Sequence, residues 1–488
     1  MSRSNECNFT GFLLKKLGPH SSLIDAATRH EFPASQVPDF IVGFAAGFLS
    51  TGMQRGDRIL ISCDLSAASS LAYLGAMYAG LVPVLVDERA LEISGEALLN
   101  KARAEGMWAA SRVGLDWANK KGIPAFHGKF EACPAHSLPP APCAEGDLAA
   151  LMPTSGSTGV PCLVMVSHAN LLANTAAIVR SQRLGTDERA FLIMPVSYCF
   201  GASVLHTHLW QGGGVVFDSR FMFPDKVLRS VNDYGCTTFA GVPAVYNILL
   251  RRSNLRSIPL PGLRRFLQAG GALAPDSVQE MRNIVPTAEF FVMYGQTEAT
   301  SRISCLPSDR LSEKLGSAGL PLDNLEVRIV DDEGRELPEG QAGENQVRGP
   351  SVCSGYFEDP EATERKFADG WLKTGDFACR DHEGYLWIKG RADEFVKMRG
   401  IRVSFAEVEA RVAATPGVDE CAAAAVQHPE AGEAVVLFVV TTGGESGVVE
   451  NIRHTLPPQW TCASIRVVAE LPKTANGKIA RSKLRTMV

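Results

Sequence analysis

The sequence predicts an α/β protein with a large N-terminal body of βαβ sub-lobes, a small β subdomain after it, and a small α+β domain at the C-terminus. Three observations carry that expectation. Short β-branched runs alternate with helical periods over the first three quarters of the 488 residues. After about Gly319, segments of alternating apolar and polar residues separated by turn sequences replace them, and after Arg391 the pattern changes again.

In chain order, Asp57–Cys63 (DRILISC), Pro83–Val86, Arg189–Met194, Val215–Asp218 and Glu289–Met293 read as buried strands flanked by helices. The most apolar stretch, LAYLGAMYAGLVPVLV from Leu71 to Val86, contains Gly80 and Pro83. It is shorter than the roughly 20 residues of a membrane-spanning helix and reads as a buried helix, a turn and a strand. Between Lys101 and Cys143 the strand signals weaken and prolines gather (HSLPPAPC), which predicts a surface linker. The turn sequences DDEG and LPEG separate Leu325–Asp331, Gly343–Arg348 and Tyr385–Lys389, so hairpins are expected there. Past Arg391 the expected order is a helix over 405–414, strands over 421–426 and 435–441, a helix near 448–456 and a strand over 465–468. That length is enough for a separate domain.

Composition narrows the function. With 45% hydrophobic and 21% charged residues, the chain can bury a large core and is not disordered as a whole. A net charge of −5 gives no electrostatic reason for a nucleic-acid partner. The start, MSRSNECNF, lacks the basic segment and apolar run of a secretory signal, so export is not expected. The 12 cysteines include no CxxC pair and match no metal-ligand spacing, which suits reduced thiols. A cytoplasmic protein without integral membrane association is the expectation; the sequence does not state its oligomeric state.

The strongest single feature is TSGSTGVP, comprising Thr154, Ser155, Gly156, Ser157, Thr158, Gly159, Val160 and Pro161. Small hydroxyl residues between glycines let backbone N–H groups and hydroxyls surround phosphate oxygens, although such a stretch alone also describes an ordinary loop. It is not a Walker A loop. In QAGGALAP, Gly270, Gly271 and Ala272 allow backbone to lie against a planar group, or form a plain turn. In MYGQTEA, the residues Tyr294, Gly295, Gln296, Thr297 and Glu298 follow a predicted strand, where α/β folds place ligands. Asp376 in GWLKTGD can accept two hydrogen bonds from a ribose, and Lys478 in PKTANGKIAR is a compact charge able to reach carboxylate and phosphate oxygens.

With GRADEFVKMRGIRV, these segments resemble the adenylate-forming superfamily, which contains acyl- and aryl-CoA synthetases, peptide-synthetase adenylation domains and firefly luciferase. The resemblance covers Ala150 to Arg485. It implies an adenylation domain over 1–392, with a barrel-like β subdomain at about 320–390, and a mobile C-terminal domain over 393–488 that carries the catalytic Lys478. It implies that Tyr294 stacks on adenine, Thr297 contacts the α-phosphate and Glu298 holds Mg²⁺. Asp376 would bind ribose, Arg391 ribose or phosphate, and Asp393 would be the hinge. The implied reaction has two steps. A carboxylate attacks the α-phosphorus of ATP to give an acyl adenylate and pyrophosphate; the thiol of CoA, or of a carrier protein's phosphopantetheine, then displaces AMP. The loop Met398–Gly400 would face the pantetheine arm after domain rotation.

Two departures stand out. Cys162 occupies the position where the family usually has Lys, which removes a positive charge near the β/γ-phosphates; a degenerate acyl-binding or acyl-transfer protein that does not adenylate is the corresponding alternative. Ser404-Phe405 stands where Pro is common. Members that activate α-amino acids carry an Asp at the position of Gly201, so an ordinary α-amino acid is disfavoured. Tyr198 matches a residue that gates the acyl pocket, and Phe200, Val242, Tyr246 and Met293 are candidates for its apolar walls or for core packing. His206 and His208, two apart in a presumed helix, do not share a face for a metal. A fatty or other apolar acid is the expected substrate, with an aryl acid next.

Overall fold

The computed structural model describes residues 7–128, 130–154, 161–391, 394–398, 401–429, 431–441, 445–458, 460–472, 479 and 481–487. Contacts within the chain separate it into two units. The first comprises Met1–Arg328, Gln346–Thr374 and Arg380–Trp387; the second comprises Ile329–Asn345, Gly375–Cys379 and Ile388–Val488.

Two sheets form the first unit's frame. Among the described residues the larger has nine strands, in the order Leu320–Pro321, Ser304–Leu306, Glu289–Tyr294, Arg265–Gln268, Thr238–Gly241, Arg189–Leu192, Gly214–Phe217, Leu23–Asp25 and His30–Phe32. Its centre is parallel: Thr238 is registered with Ala190 and Arg265, and Arg265 with Glu289. The other sheet runs Ala125–His127, Gly106–Ala109, Arg58–Cys63, Val82–Asp87, Leu148–Thr154, Cys162–Ser167. Parallel strands buried on both faces read as continuous apolar runs, as RILISC and VPVLVD do. The helices start where hydroxyl side chains supply caps. The Ser66 side chain accepts from Ser69 N, and Ser167 forms a reciprocal box with Asn170 at the start of His168–Gln182.

The helix, turn and strand expected over 71–86 are present as Ala67–Tyr78 and Val82–Asp87. The linker expected from Lys101 begins later than predicted. Gly106–Ala109, Arg112–Lys120 and Ala125–His127 are folded, and the two strands extend the smaller sheet. Strands of three or four residues are too short to show a period, which is why they escape a pattern-based reading. A further sheet orders Glu326–Val330, Gly343–Arg348, Trp371–Arg380 and Phe367–Ala368, with Leu386–Arg391 beside Trp371–Arg380.

The second unit contains the sheet Ile401–Ser404, Phe395–Met398, Gly432–Thr441, Val418–His428, with Cys462–Val467 parallel to Gly432–Thr441. Helix Phe405–Ala413 starts on Ser404, whose side chain accepts from Glu407 N, so a hydroxyl cap serves where proline is common in the family. Val408 and Val412 bury against Val435, Leu437 and Val439 in this unit's own core.

Candidate functional site

Four neighbouring parallel strands of the large sheet, ending at Leu192, Gly241, Gln268 and Tyr294, run in one direction. Their carboxyl ends deliver the segments that contain Tyr198–Gly201, Val242, Gly270–Ala272 and Tyr294–Glu298, the position at which open α/β sheets bind ligands. Gly270 takes φ +85° and Gly271 φ +155°, conformations that L side chains rarely adopt, and Gln268 Nε2 donates to Gly271 O at 2.7 Å. The Gly270-Gly271-Ala272 backbone is exposed and follows the strand that neighbours the one ending at Tyr294.

Gly295 is required by close approach. A Cβ there would stand 1.9 Å from Ser301 O and 2.8 Å from Arg302 Cα, so the chain after Glu298 folds back directly over the turn. Thr300, φ +64°, makes the reversal, with its hydroxyl donating to Ser351 O at 2.7 Å. Gln296 Nε2 donates to Thr374 O at 3.3 Å. Glu298 is 9% exposed, and its Oε1 accepts from the Tyr356 hydroxyl at 2.6 Å, while its carbonyl accepts from Cys353 N at 2.9 Å. Tyr356 is the principal partner that sequence reasoning missed. Among the described residues no group of three or more His, Cys, Asp and Glu is arranged to hold a metal by itself. A single carboxylate is nonetheless consistent with Mg²⁺, which is commonly bound by one or two carboxylates together with substrate phosphates.

Thr297 Oγ1 donates to Cys199 Sγ at 3.5 Å, which links the Thr297 turn to the helix Cys199–Trp210. Burial raises the Cys199 thiol, opposed by hydrogen bonding from Thr297 and by the charge of Arg302. Tyr198, 53% exposed, precedes this helix and Phe200 is buried within it. A Cβ on Gly201 would lie 2.4 Å from Pro195 O, so no side chain fits where amino-acid-activating relatives carry Asp. Alanine normally stabilises a helix relative to glycine by about 1 kcal/mol, but here overpacking against a backbone oxygen reverses the sign. Gly201→Ala is expected to lower stability by about 1–3 kcal/mol, read as a reduced denaturation midpoint.

Val242 is half-buried at its strand end. Tyr246 is not a wall of an acid pocket. It is 0% exposed, packs among Phe239, Phe266 and Phe290, and donates its hydroxyl to Leu267 O at 2.8 Å, because its helix presents it to the core beneath the sheet. Met293 is likewise core, in contact with Gln182 Nε2. His206 and His208 are buried, and burial pushes their imidazoles down to about 3 and about 4 respectively, so both are neutral.

Thr154 and Cys162 are registered partners at the ends of their antiparallel strands. Ser155, Gly156, Ser157, Thr158 and Gly159 lie outside the described residues, as do Lys478, Asp393, Arg399 and Gly400. Burial raises the Cys162 thiol, and Lys101 opposes the shift; Lys101 itself pairs with Asp359 at 3.1 Å. In the second unit Asp376 Oδ1 lies 3.1 Å from Arg391 Nη1, and Arg391 N donates to Glu394 Oε2 at 3.3 Å. Two of the candidate ribose and phosphate groups are thus brought together in one ion pair.

Residues 35–357 match the family model described as AMP-binding enzyme, and residues 407–478 match the AMP-binding enzyme C-terminal domain. The chain belongs to this family of adenylate-forming enzymes. It is 31% identical over 494 residues to a feruloyl-CoA synthase of Amycolatopsis sp, with 96% of each chain covered. It is also 31% identical to a sulfoacetate–CoA ligase of Cupriavidus necator, over 80% of this chain and 76% of the relative. Among solved structures, ATP-bound MatB from Rhodopseudomonas palustris has a TM-score of 0.85 and 27% identity, covering 99% of this chain and 98% of that one. The protein is an AMP-forming acid–CoA ligase that adenylates a carboxylic acid and forms its CoA thioester. Among the described residues no helix is long and apolar enough to cross a membrane.

Proposed function

We propose that the carboxyl ends of the four central strands hold ATP and a carboxylic acid with an apolar or aryl body, and that adenylation occurs beside Thr297. The observation that carries this reading is the Thr297–Glu298 turn, with its carboxylate fixed by Tyr356 at 2.6 Å and its hydroxyl next to the Cys199–Phe200 helix start. Adenine would lie between Tyr294 and the open Gly270–Ala272 backbone, with Asp376 and Arg391 serving the ribose. Thr154 and the residues 155–159 that follow it would enclose the β/γ-phosphates. Thr297 would donate to the α-phosphate as charge develops there. Glu298 would hold Mg²⁺, which offsets triphosphate charge. The acid body would pass Tyr198 and rest on Phe200 and Val242, with its carboxylate turned toward Thr297.

Lys478 would neutralise charge on the carboxylate and α-phosphate during the in-line attack. Rotation of residues 393–488 about Asp393 would then exchange Lys478 for the loop Met398–Gly400, which would face the incoming thiol. CoA is the thiol that the family relationship supports; phosphopantetheine on a carrier protein is the variant.

The test is acid-dependent exchange of labelled pyrophosphate into ATP over a panel of carboxylic acids, followed by addition of CoA or holo-carrier protein while AMP release is measured. Exchange with at least one acid and AMP release on CoA addition are expected. Exchange with no acid, together with no effect of Lys478→Ala, overturns the reading in favour of a non-adenylating protein. Cys162→Lys restores the charge the family usually has at this position. It is expected to lower the KM for ATP by roughly fivefold to tenfold, about 1–1.4 kcal/mol in binding terms. An unchanged KM would show that residue 162 does not face the nucleotide.

A further inference from the structure

Arg302 is a large cation placed in the core of a catalytic body. It is 2% exposed, and its Nε has no hydrogen-bond partner among the described residues. Among those residues no carboxylate lies within 4.0 Å of its guanidinium, which distinguishes it from Arg265, whose buried charge is met by Glu188. Arg302 instead stands over the ring of Phe200, 5.0 Å from its centroid. Burial pushes it down to about 10, still a cation at neutral pH. The titratable neighbours whose charge acts on it are Cys305 and Cys199, and burial raises both thiols, so neither supplies a counter-charge.

The location gives this charge, unpaired among the described residues, a meaning. Phe200 and Cys199 open the helix at the acid side of the site, and Cys199 Sγ touches Thr297 Oγ1 at 3.5 Å. Arg302 therefore lies on the acid's side of the Thr297 turn, against the Phe200 ring on which the acid body is proposed to rest. The backbone is fixed there: Asn174 Nδ2 donates to Arg302 O at 3.0 Å, and Gly295 leaves no slack between the turn and Ser301–Arg302. A buried charge without a partner is expensive, and a ligand that brings the opposite charge recovers that cost on binding.

We propose that the acid activated by this protein carries a second carboxylate, distal to the one that is adenylated, and that Arg302 receives it. The proposal rests on the adenylation reading above and adds the substrate class. The apolar or aryl body of the acid spans Phe200, and the far anion meets the planar guanidinium, whose fork suits bidentate pairing with an oxyanion. A site built around a buried polar group rejects analogues that leave it unpaired, so a monoanionic acid of the same length is a poor substrate.

The experiment compares succinate, glutarate, adipate and terephthalate with butyrate, valerate, hexanoate and benzoate. It uses the full-length wild type, Arg302→Met and Arg302→Lys, with pyrophosphate exchange as one readout and ligand-induced shift of the thermal midpoint as the second. The wild type should favour the diacid of at least one matched pair by about 10²-fold in kcat/KM. Arg302→Met should abolish or invert that ratio, and Arg302→Lys should retain part of it. If Arg302→Met fails to fold, the wild-type ratio and the Arg302→Lys ratio decide. Wild-type exchange confined to the monoacids, or a diacid preference that Arg302→Met leaves unchanged, overturns the proposal while adenylation stands. Absence of exchange with every acid, alongside a diacid-induced thermal shift lost in Arg302→Met, overturns adenylation and leaves the anion site. Absence of both diacid exchange and diacid binding overturns the proposal.

Discussion

Glu298→Gln is expected to lower the rate of acid-dependent pyrophosphate exchange by about 10²–10³-fold, the scale of losing one electrostatic contact to a transition state. The substitution is nearly isosteric. The amide oxygen can still accept from the Tyr356 hydroxyl, which now sits 2.6 Å from Oε1, and the carbonyl bond from Cys353 N is untouched, so the turn persists. What disappears is the negative charge proposed to hold Mg²⁺ on the triphosphate. Tyr356→Phe separates position from charge: it leaves the carboxylate but frees its orientation, and a smaller loss of roughly tenfold is expected. Exchange by Glu298→Gln at the wild-type rate and the wild-type KM for ATP would remove Glu298 from the chemistry.

The second large effect concerns stability at the opposite ends of the same strands. Glu188 is buried just before Arg189–Leu192 and accepts from the Thr237 hydroxyl and from Arg265 Nη1, so three neighbouring strands meet on one carboxylate. Glu188→Ala leaves Arg265, itself 6% exposed, without its buried hydrogen-bonded partner, and only the part-exposed Glu289 carboxylate remains, 3.8 Å away. A loss of about 3–5 kcal/mol in the stability of the first unit is expected. The double variant Glu188→Met with Arg265→Met should recover much of that loss, because an apolar pair of similar volume replaces both charges. Urea unfolding followed by a probe within the first unit would measure both, and a double variant no more stable than Glu188→Ala would show that the ion pair is not the source of the effect. Activity at temperatures well below unfolding should be little changed, since the chemistry is proposed at the carboxyl ends.

Long, strongly patterned elements are legible in the sequence. Asp57–Cys63 and Glu289–Met293 are strands within a residue of the expected bounds, and Gly343–Arg348 matches in full. The placement of Tyr294 through Glu298 at the end of one strand is legible too, because a single turn presents them as a group. Contacts that depend on chain closure are not. Glu298 and Tyr356 are 58 residues apart, and Glu188 and Arg265 are 77 apart, with no periodicity that joins them. Arg302, four residues after Glu298, gave no sign of burial, since arginine in a polar turn ordinarily faces water. Tyr246 misled for the opposite reason: an aromatic at a helix start fits a pocket wall and a core equally well until the direction of its side chain is known.

The contact at Gly295 bears on how such an enzyme can be re-engineered. With Ser301 O 1.9 Å from the place of a missing Cβ, the turn proposed to face the nucleotide and the segment that carries Arg302 are wedged together as a single piece of backbone. A mutation that shifts residues 300–302 to admit a different acid would press on the turn that ends in Glu298. Directed evolution of acid choice through that segment would therefore tend to carry a penalty in ATP affinity. Changes on the Tyr198–Phe200 side, which approach from a separate helix, offer the less encumbered route.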